Sequence, residues 1–119
     1  MTAQHNTPLE QRPLQDFVTA VAAATPTPGG GSVAALAGAL AAALAAMVAR
    51  LTVGKKKYRE HESEVQAALE QAARTQPELL SLISEDTAAF EAVMAAFRLP
   101  KESAAEKQAR TAAIQAALQ

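Results

Sequence analysis

The hydrophobic residues of this chain recur at intervals of three and four along most of its length, and no segment alternates as a strand does. The first periodic segment, Leu14 to Val21, predicts a short helix that begins near Pro13 and ends before Pro26. Further helical segments follow downstream, which makes about five in all. The pattern therefore predicts an all-α helical bundle.

The most apolar of these segments, residues 33–51, consists largely of alanine and leucine. Its larger side chains form one stripe, made of Leu36, Leu40, Leu44, Met47 and Leu51. A helix that is apolar all round is typical of a protein interior, and small side chains let neighbouring helices approach closely. We therefore expect this helix to be buried at the centre of the bundle, where its small faces also suit contact with a second subunit.

Capping and turn signals divide the rest of the chain. Gly54 predicts the end of the central helix, and the next helix is expected to run to about Arg74. The sequence Thr75–Glu78 reads as a capping box with proline in the first turn, which predicts either a new helix or a kink in one long helix. A second capping box at Ser103–Glu106 predicts the start of the last helix. No helix-stopping residue follows it, which is the pattern of a domain cut short.

Length and composition limit the fold and its partners. At 119 residues we expect one domain at most, with a polar tail at residues 1–12 and a helical domain at 13–119. The net charge of −1 gives no electrostatic reason to expect nucleic acid as a partner. The chain has no cysteine, and His5 and His61 lie in dissimilar segments, so we expect no metal site.

The N-terminal residues are polar and interrupted by proline, unlike a signal peptide, and we expect a cytoplasmic protein. The uncharged stretch 33–49 approaches the length of a membrane-spanning helix. Alanine and glycine dominate it, however, so the free energy gained by its transfer into a bilayer is small. The sequence thus predicts no membrane partner.

The run Thr25–Ser32, which contains three consecutive glycines, leads directly into the central helix. Without Cβ atoms, the backbone N–H groups of Gly29, Gly30 and Gly31 are open to a ligand. Ser32 is a candidate N-cap, and the positive end of the helix dipole would favour an anion there. A plain turn with a helix cap explains the same residues equally well.

Two nucleotide-binding motifs do not fit this glycine run. The string Gly29–Ala34 satisfies G-x-G-x-x-A, but no strand precedes it and no acidic residue follows about 20 positions later. A P-loop requires lysine followed by serine or threonine at the helix start, whereas the first lysine is Lys55. Nucleotide binding by either motif is therefore disfavoured.

Asp86 is the strongest single candidate for a catalytic or ligand-binding residue. It occupies a position in a stripe with Leu79, Ile83, Phe90 and Val93 where the periodicity calls for an apolar side chain. A buried carboxylate must be paired, hydrogen-bonded or protonated, and each state suits an acid, a base or a ligand anchor. A structural carboxylate that caps a helix or pairs with a basic residue is the alternative. Its neighbour Glu85 is expected on the solvated surface.

The basic run Lys55–Lys57 follows the central helix. Cations at a helix C-terminus are stabilised by its dipole, and a solvated basic face is the simpler interpretation. The alternative is binding of a polyanionic small molecule, with Tyr58 stacking on or hydrogen-bonding to a planar heterocycle.

Taken together, several ordered segments resemble the cyclodeaminase/cyclohydrolase family of folate one-carbon metabolism. The matching segments are Pro28–Leu36, Met47–Tyr58, Asp86–Phe90 and Val93–Lys101. The resemblance runs from Leu14 to the C-terminus and is far more specific than the glycine run alone. The family pattern continues with further helices and an Asn- and Ser-Asp-containing segment that this chain lacks.

The resemblance implies an all-helical dimer that binds folate in a groove near the subunit interface, without a metal. It implies conversion of 5-formimidoyltetrahydrofolate to 5,10-methenyltetrahydrofolate and ammonia, or the related hydrolysis of methenyltetrahydrofolate. On this hypothesis Asp86 handles a proton or anchors the pterin. The folate contacts would be made by Pro28, Gly29, Gly30, Gly31, Ser32 and Tyr58, with Lys55 and Lys57 at the glutamate tail. A non-catalytic helical oligomerisation module, or an inactive fragment of such an enzyme, is the competing interpretation.

Overall fold

The computed structural model describes residues 7–119, so His5 and the first half of the predicted polar tail lie outside the described residues. Within that range the chain is all-α, as predicted, and contains no strand. Its four α-helices are α1 (Leu14–Ala22), α2 (Gly30–Thr52), α3 (Glu62–Phe97) and α4 (Ala104–Leu118). Short 3-10 helices span Leu9–Gln11 and Lys56–His61.

Helices α2 and α3 pack antiparallel along nearly the whole of α2. Gly31 lies against Asp86 near one end of the pair, and Gly38 lies against Leu79 further along. The buried residues of α2 are small, namely Ser32, Ala35, Ala39, Ala46 and Ala49. Because these side chains are so short, the two helices approach closely, as the alanine content predicts.

Most of the larger side chains of α2 point the other way. Leu40 and Leu44 are each 58% exposed and Leu51 is 61% exposed. The prediction that α2 is buried all round is therefore wrong for the single chain, because α3 covers only its alanine face. Among the described helices, α2 alone is long and apolar enough to cross a membrane, a test that core helices of soluble proteins also pass.

A hydrophobic cluster lies where the N-terminal elements meet the α2–α3 pair. It consists of Leu9, Phe17, Ala35 and Ile83, with Val21, Leu36 and Leu80 packed against it. The N–H of Leu9 donates to the hydroxyl of Ser84 at 3.2 Å. Leu9 thus belongs to the folded body, although the sequence placed it in a polar tail.

Helix α3 runs without interruption through Pro77 for 36 residues. The hydroxyl of Thr75 donates to the carbonyl of Gln71 at 2.8 Å and caps no new helix. Proline removes one helical hydrogen bond, to the carbonyl of Ala73, and Ala73 is exposed, so water can satisfy that carbonyl. Of the two outcomes predicted for this segment, one long helix is the one observed.

Two other predicted boundaries are confirmed. Gly54, with φ of 82°, follows the end of α2 in a left-handed conformation that favours glycine. Ser103 and Glu106 form a reciprocal capping box at the start of α4. Helix α4 folds back on α3, where Arg110 donates to the carbonyl of Phe97 at 3.1 Å.

Candidate functional site

The glycine run forms the first turn of α2 and is not an open loop. Gly29 is the N-cap residue in an extended conformation, and Gly30 and Gly31 are already helical. The first turn of a helix leaves its N–H groups without intrahelical partners, so these glycines still present backbone donors at the positive end of the dipole. The helix begins about one turn earlier than expected, so these backbone donors lie within its first turn and not in a loop before it.

Ser32 is not the N-cap that the sequence suggested. It lies inside the first turn, is fully buried, and donates its hydroxyl hydrogen bond to the carbonyl of Ile83 at 2.8 Å. Its oxygen is also 3.2 Å from the hydroxyl of Thr87. Two glycines ahead of Ser32 allow the helix to begin earlier, which turns Ser32 toward α3. Ser32 therefore fixes the crossing of α2 and α3, and its hydroxyl is not available to a ligand.

Asp86 lies directly over the backbone of Gly31. A Cβ atom built on Gly31 would overlap the carboxylate of Asp86, whereas one built on Gly30 would meet nothing within 4 Å. The absence of a side chain at position 31 is thus what lets the carboxylate reach the first turn of α2. This contact joins two residues that the sequence analysis selected separately.

The expected burial of Asp86 is wrong, because its side chain is exposed. The face of α3 that meets α2 passes through Ile83 and Thr87, which both contact Ser32. A rotation of about 100° per residue then places Asp86 at the edge of the helix pair, where water reaches it. The carboxylate forms no hydrogen bond or ion pair with any described residue, so it is free to act on a ligand.

The Asp86 carboxylate borders an open cleft between α2 and α3 of about 490 Å³. The cleft is lined by Gly31, Ala34, Ala35, Leu79, Leu82, Glu85 and Asp86. Its walls are mainly apolar, with two carboxylates at one end. This combination suits a planar organic ligand that carries nitrogen donors.

Sequence reasoning missed Leu79, Leu82 and Glu85 as lining residues. Glu85 is exposed, as expected, yet it borders the same cleft as Asp86. The pair of adjacent acids was the available signal. The leucines resemble any other core leucine, so their role at the cleft becomes visible only when α2 is placed beside them.

Pro28 lies on a different cavity. It is buried and lines a space of about 700 Å³ between the N-terminal segment, the proline-rich turn and α3. Thr27 and Glu91 also line this space, and the Thr27 hydroxyl donates to the Glu91 carboxylate at 3.4 Å. Pro28 therefore supports the turn from the side that faces away from the Asp86 cleft.

The basic segment lies at the opposite end of α2. Lys55 follows the helix C-terminus, and the ammonium of Lys57 lies 5.6 Å from the ring centroid of Tyr58. The 23 residues of α2 span about 35 Å. One chain therefore does not bring Lys55, Lys57 and Tyr58 to the glycine turn.

Among the described residues, no group of three or more histidine, cysteine, aspartate or glutamate side chains is placed to hold a metal ion. The chemistry available at the cleft is that of a carboxylate beside backbone N–H donors. Such a pair can accept or return a proton and orient a polar ligand.

Comparison with known proteins identifies relatives of this chain. Residues 13–119 match the family model described as formiminotransferase-cyclodeaminase. The methenyltetrahydrofolate cyclohydrolase of Methylorubrum extorquens is 46% identical over 105 residues, which are 88% of this chain and 50% of that protein. The formimidoyltransferase-cyclodeaminase of Gallus gallus is 35% identical over 115 residues, 97% of this chain and 21% of the relative.

The fold also has a counterpart among solved structures. The crystal structure of formiminotetrahydrofolate cyclodeaminase from Thermotoga maritima superposes with a TM-score of 0.71 at 37% identity. The match covers 92% of this chain and 54% of that one. The chain thus spans about half the length of the cyclohydrolase and of the Thermotoga maritima cyclodeaminase, and 21% of the Gallus gallus relative.

Proposed function

Since the chain belongs to the formiminotransferase-cyclodeaminase family, we propose that it binds a one-carbon derivative of tetrahydrofolate and takes part in cyclodeaminase or cyclohydrolase chemistry. The observation that carries this proposal is the Asp86 carboxylate held over Gly31 at the first turn of α2. It supplies an unpaired proton acceptor beside backbone donors in an open, mainly apolar cleft. In the same proposal the protein is a cytoplasmic homodimer that needs no metal.

In the cyclohydrolase reaction, water adds to the methenyl carbon and the bond from that carbon to N5 breaks, which gives 10-formyltetrahydrofolate. Asp86 would accept a proton from the attacking water, and N5 would be protonated as it leaves. In the cyclodeaminase reaction, N10 attacks the carbon of the protonated formimidoyl group, and ammonia leaves to give the methenyl cation. Here Asp86 would accept the N10 proton and return it to the departing nitrogen, so one carboxylate serves either reaction.

The first experiment is calorimetric titration of the chain with 5-formyltetrahydrofolate, together with assays of both reactions. We expect saturable binding by the native chain. Asp86→Asn should lower any turnover by about 10²- to 10⁴-fold, since the amide cannot accept a proton, while folding is unchanged because the side chain is exposed. Glu70→Gln, an exposed carboxylate of α3 far from the cleft, is the matched control. Full turnover by the Asp86→Asn variant would remove the catalytic assignment.

The second candidate is a non-catalytic assembly module, and the exposed leucines of α2 favour it. A module of this kind would form oligomers in the absence of folate and would gain no thermal stability from it. A folate site predicts a melting temperature that rises with folate concentration. Thermal denaturation with and without 5-formyltetrahydrofolate therefore separates the two.

A further inference from the structure

The segment ahead of α1 forms a short turn that lies against α3. We call residues 7–12 the strap. The backbone N–H of Arg12 donates to the carbonyl of Leu9 at 3.2 Å, and the Arg12 side chain donates to the carbonyl of Thr7 at 2.8 Å. These internal bonds give the strap a defined shape that does not depend on its contact with α3.

Ser84 joins the strap to α3 through two neighbouring residues. Its hydroxyl accepts a hydrogen bond from the N–H of Leu9 at 3.2 Å and donates one to the carboxylate of Glu10. Leu9 is buried in one cluster with Phe17 and Ile83, and Glu10 and Ser84 are half-buried. Two hydrogen bonds and an apolar contact thus converge on one turn of α3 and hold it against the strap.

Ser84 and Asp86 lie on the two flanks of the face of α3 that meets α2. At 100° per residue, Asp86 lies about 160° around the helix from Ser84. Ile83 and Thr87 lie between these two positions, and both contact Ser32 of α2. The strap therefore holds one flank of this face, the Ser32 bonds hold its centre, and the Asp86 carboxylate lies at the other flank.

A bond at the centre of a helix contact resists rotation of a helix about its own axis only weakly, whereas a bond at the flank resists it strongly. Ser32 therefore selects the face of α3 that meets α2, and the strap fixes the remaining rotation. The end of a helix side chain lies roughly 6 Å from the axis, so a rotation of about 10° moves the Asp86 carboxylate by about 1 Å. A displacement of this size at a reacting group costs up to about 10²-fold in rate.

We propose that Glu10 and Ser84 are positioning residues for Asp86, because their hydrogen bond fixes the rotation of α3 and so holds the carboxylate over Gly31. This inference rests on the proposed function for the reaction that Asp86 assists. The strap lies ahead of residues 13–119, the part of the chain that the family model matches. It therefore adds to the site a component that lies outside that match.

A disulfide between positions 31 and 86 reports the contact in the absence of any ligand. A Cβ atom on Gly31 would lie 2.5 Å from the Cγ atom of Asp86, so the two Cβ atoms are no more than about 4 Å apart, as a disulfide requires. The chain has no native cysteine, and Gly31→Cys/Asp86→Cys introduces the only two thiols. The measurement is the effective concentration of one thiol at the other, obtained by equilibration with glutathione.

We expect Glu10→Ala and Ser84→Ala each to lower this effective concentration by about threefold or more, because α3 then rotates and carries position 86 away from position 31. Glu10→Gln keeps an oxygen that accepts the bond from Ser84 and should restore the original value. Ser103→Ala removes a hydroxyl at the start of α4 and is the control for a general loss of stability, with no change expected. An effective concentration that responds to neither Glu10→Ala nor Ser84→Ala would overturn the proposal.

Kinetics of the chain with its native Gly31 and Asp86 test the consequence for the reaction. Glu10→Ala should lower kcat about tenfold and leave KM within about twofold, because the carboxylate shifts while the other ligand contacts stay in place. In the Asp86→Asn background the same change should cause no further loss, since the group that it positions is already absent. A full additive loss in that background would mean that Glu10 acts through another group, and the positioning role would be wrong.

The two measurements separate this inference from the proposed function. Turnover by the native chain together with an unresponsive disulfide overturns the role of the strap alone. If the native chain turns over neither folate substrate but the disulfide responds to Glu10→Ala, the proposed function fails and the strap still fixes position 86 over Gly31. Absence of both turnover and a response overturns both.

Discussion

At the scale of single residues, the contact between Gly31 and Asp86 links the architecture to the chemistry. Helix α2 presents backbone donors, helix α3 presents a carboxylate, and the missing side chain at position 31 lets them meet. The Asp86 side chain is exposed, so it can move aside if a larger residue replaces Gly31. This position therefore controls the geometry of the cleft without controlling the fold.

Gly31→Ala should separate function from stability. The added methyl group occupies the position of the Asp86 carboxylate and displaces it from the helix start. Folding should be unchanged or more favourable by about 0.5–1 kcal/mol, because alanine is the better helix former. Turnover should fall about 10²-fold, as is typical when a reacting group is misplaced by an ångström. Urea denaturation and the two folate assays measure these effects.

Gly30→Ala is the matched control for this substitution. A Cβ atom at position 30 meets no atom within 4 Å, and the residue lies in the same helical turn. It should show the same gain in stability and a smaller loss of turnover than Gly31→Ala, because the Asp86 carboxylate keeps its position. Equal losses of turnover in both variants would mean that the glycines act only through their backbone and that the position of the Asp86 carboxylate does not affect turnover.

Ser32→Ala should have the opposite signature. The fully buried hydroxyl binds the Ile83 carbonyl and contacts Thr87, so its removal should lower the free energy of unfolding by about 1 kcal/mol. Thr19→Ala removes a hydroxyl that makes an exposed bond within α1 and should change stability much less. Denaturant titration of the two variants gives the comparison, and a similar loss in both would assign Ser32 no role in the helix crossing.

The sequence identified Asp86 and the glycine run but could not join them. The spacing of apolar residues in α3 fixes a stripe to within about one residue, and the observed interface passes through Ile83 and Thr87. The rotation of α2 against α3 decides which residue beside that stripe lies at the edge of the helix pair. That rotation is set by Ser32, whose expected role was a helix cap. A long-range hydrogen bond of this kind leaves no periodic signal in the sequence.

At the scale of elements, two similar capping sequences have different outcomes. Ser103 and Glu106 form the complete box and start α4, whereas Thr75 donates back to Gln71 inside α3. Leu99 and Pro100 precede the Ser103 box and end α3. An unbroken periodic segment precedes Thr75, so the helix continues through that sequence. Local sequence therefore predicts a boundary well only where the preceding helix also has a reason to end.

Ser103→Ala should loosen α4 selectively. This helix buries none of its residues, so its start depends on the capping box and on the contacts of Arg110 with Phe97. Loss of the cap should cost about 1 kcal/mol and should appear as faster amide exchange in α4 with little change in α3. Ser81→Ala, within α3, is the control because the Ser81 hydroxyl makes only a local bond to Glu78. Uniform loss of protection in all helices would contradict the local role.

At the scale of the whole molecule, the sequence predicted the helices well and their surroundings poorly. Alanine and leucine in α2 indicated a buried helix, and the alanine face is indeed buried against α3. The opposite side of α2, the leucine face formed by Leu40, Leu44, Met47 and Leu51, is exposed because α3 is the only long helix that packs on α2 within residues 7–119. Periodicity tells which residues seek an apolar environment, but it does not say whether the same chain or another provides it.

Assembly through the leucine face predicts that stability depends on protein concentration. A dimer that covers Leu40 and Leu44 gains free energy from association, so its thermal midpoint should rise with each tenfold increase in concentration. Leu40→Lys/Leu44→Lys should give a monomer by light scattering and abolish that dependence. Helical content should be kept at low concentration, because both side chains point to solvent in the single chain.

The control adds the same two charges elsewhere. Gln108→Lys/Gln115→Lys lies on exposed positions of α4 and should leave both the mass and the concentration dependence unchanged. A midpoint independent of concentration in the native chain, and unaffected by lysines at positions 40 and 44, would mean that the leucine face stays uncovered in solution.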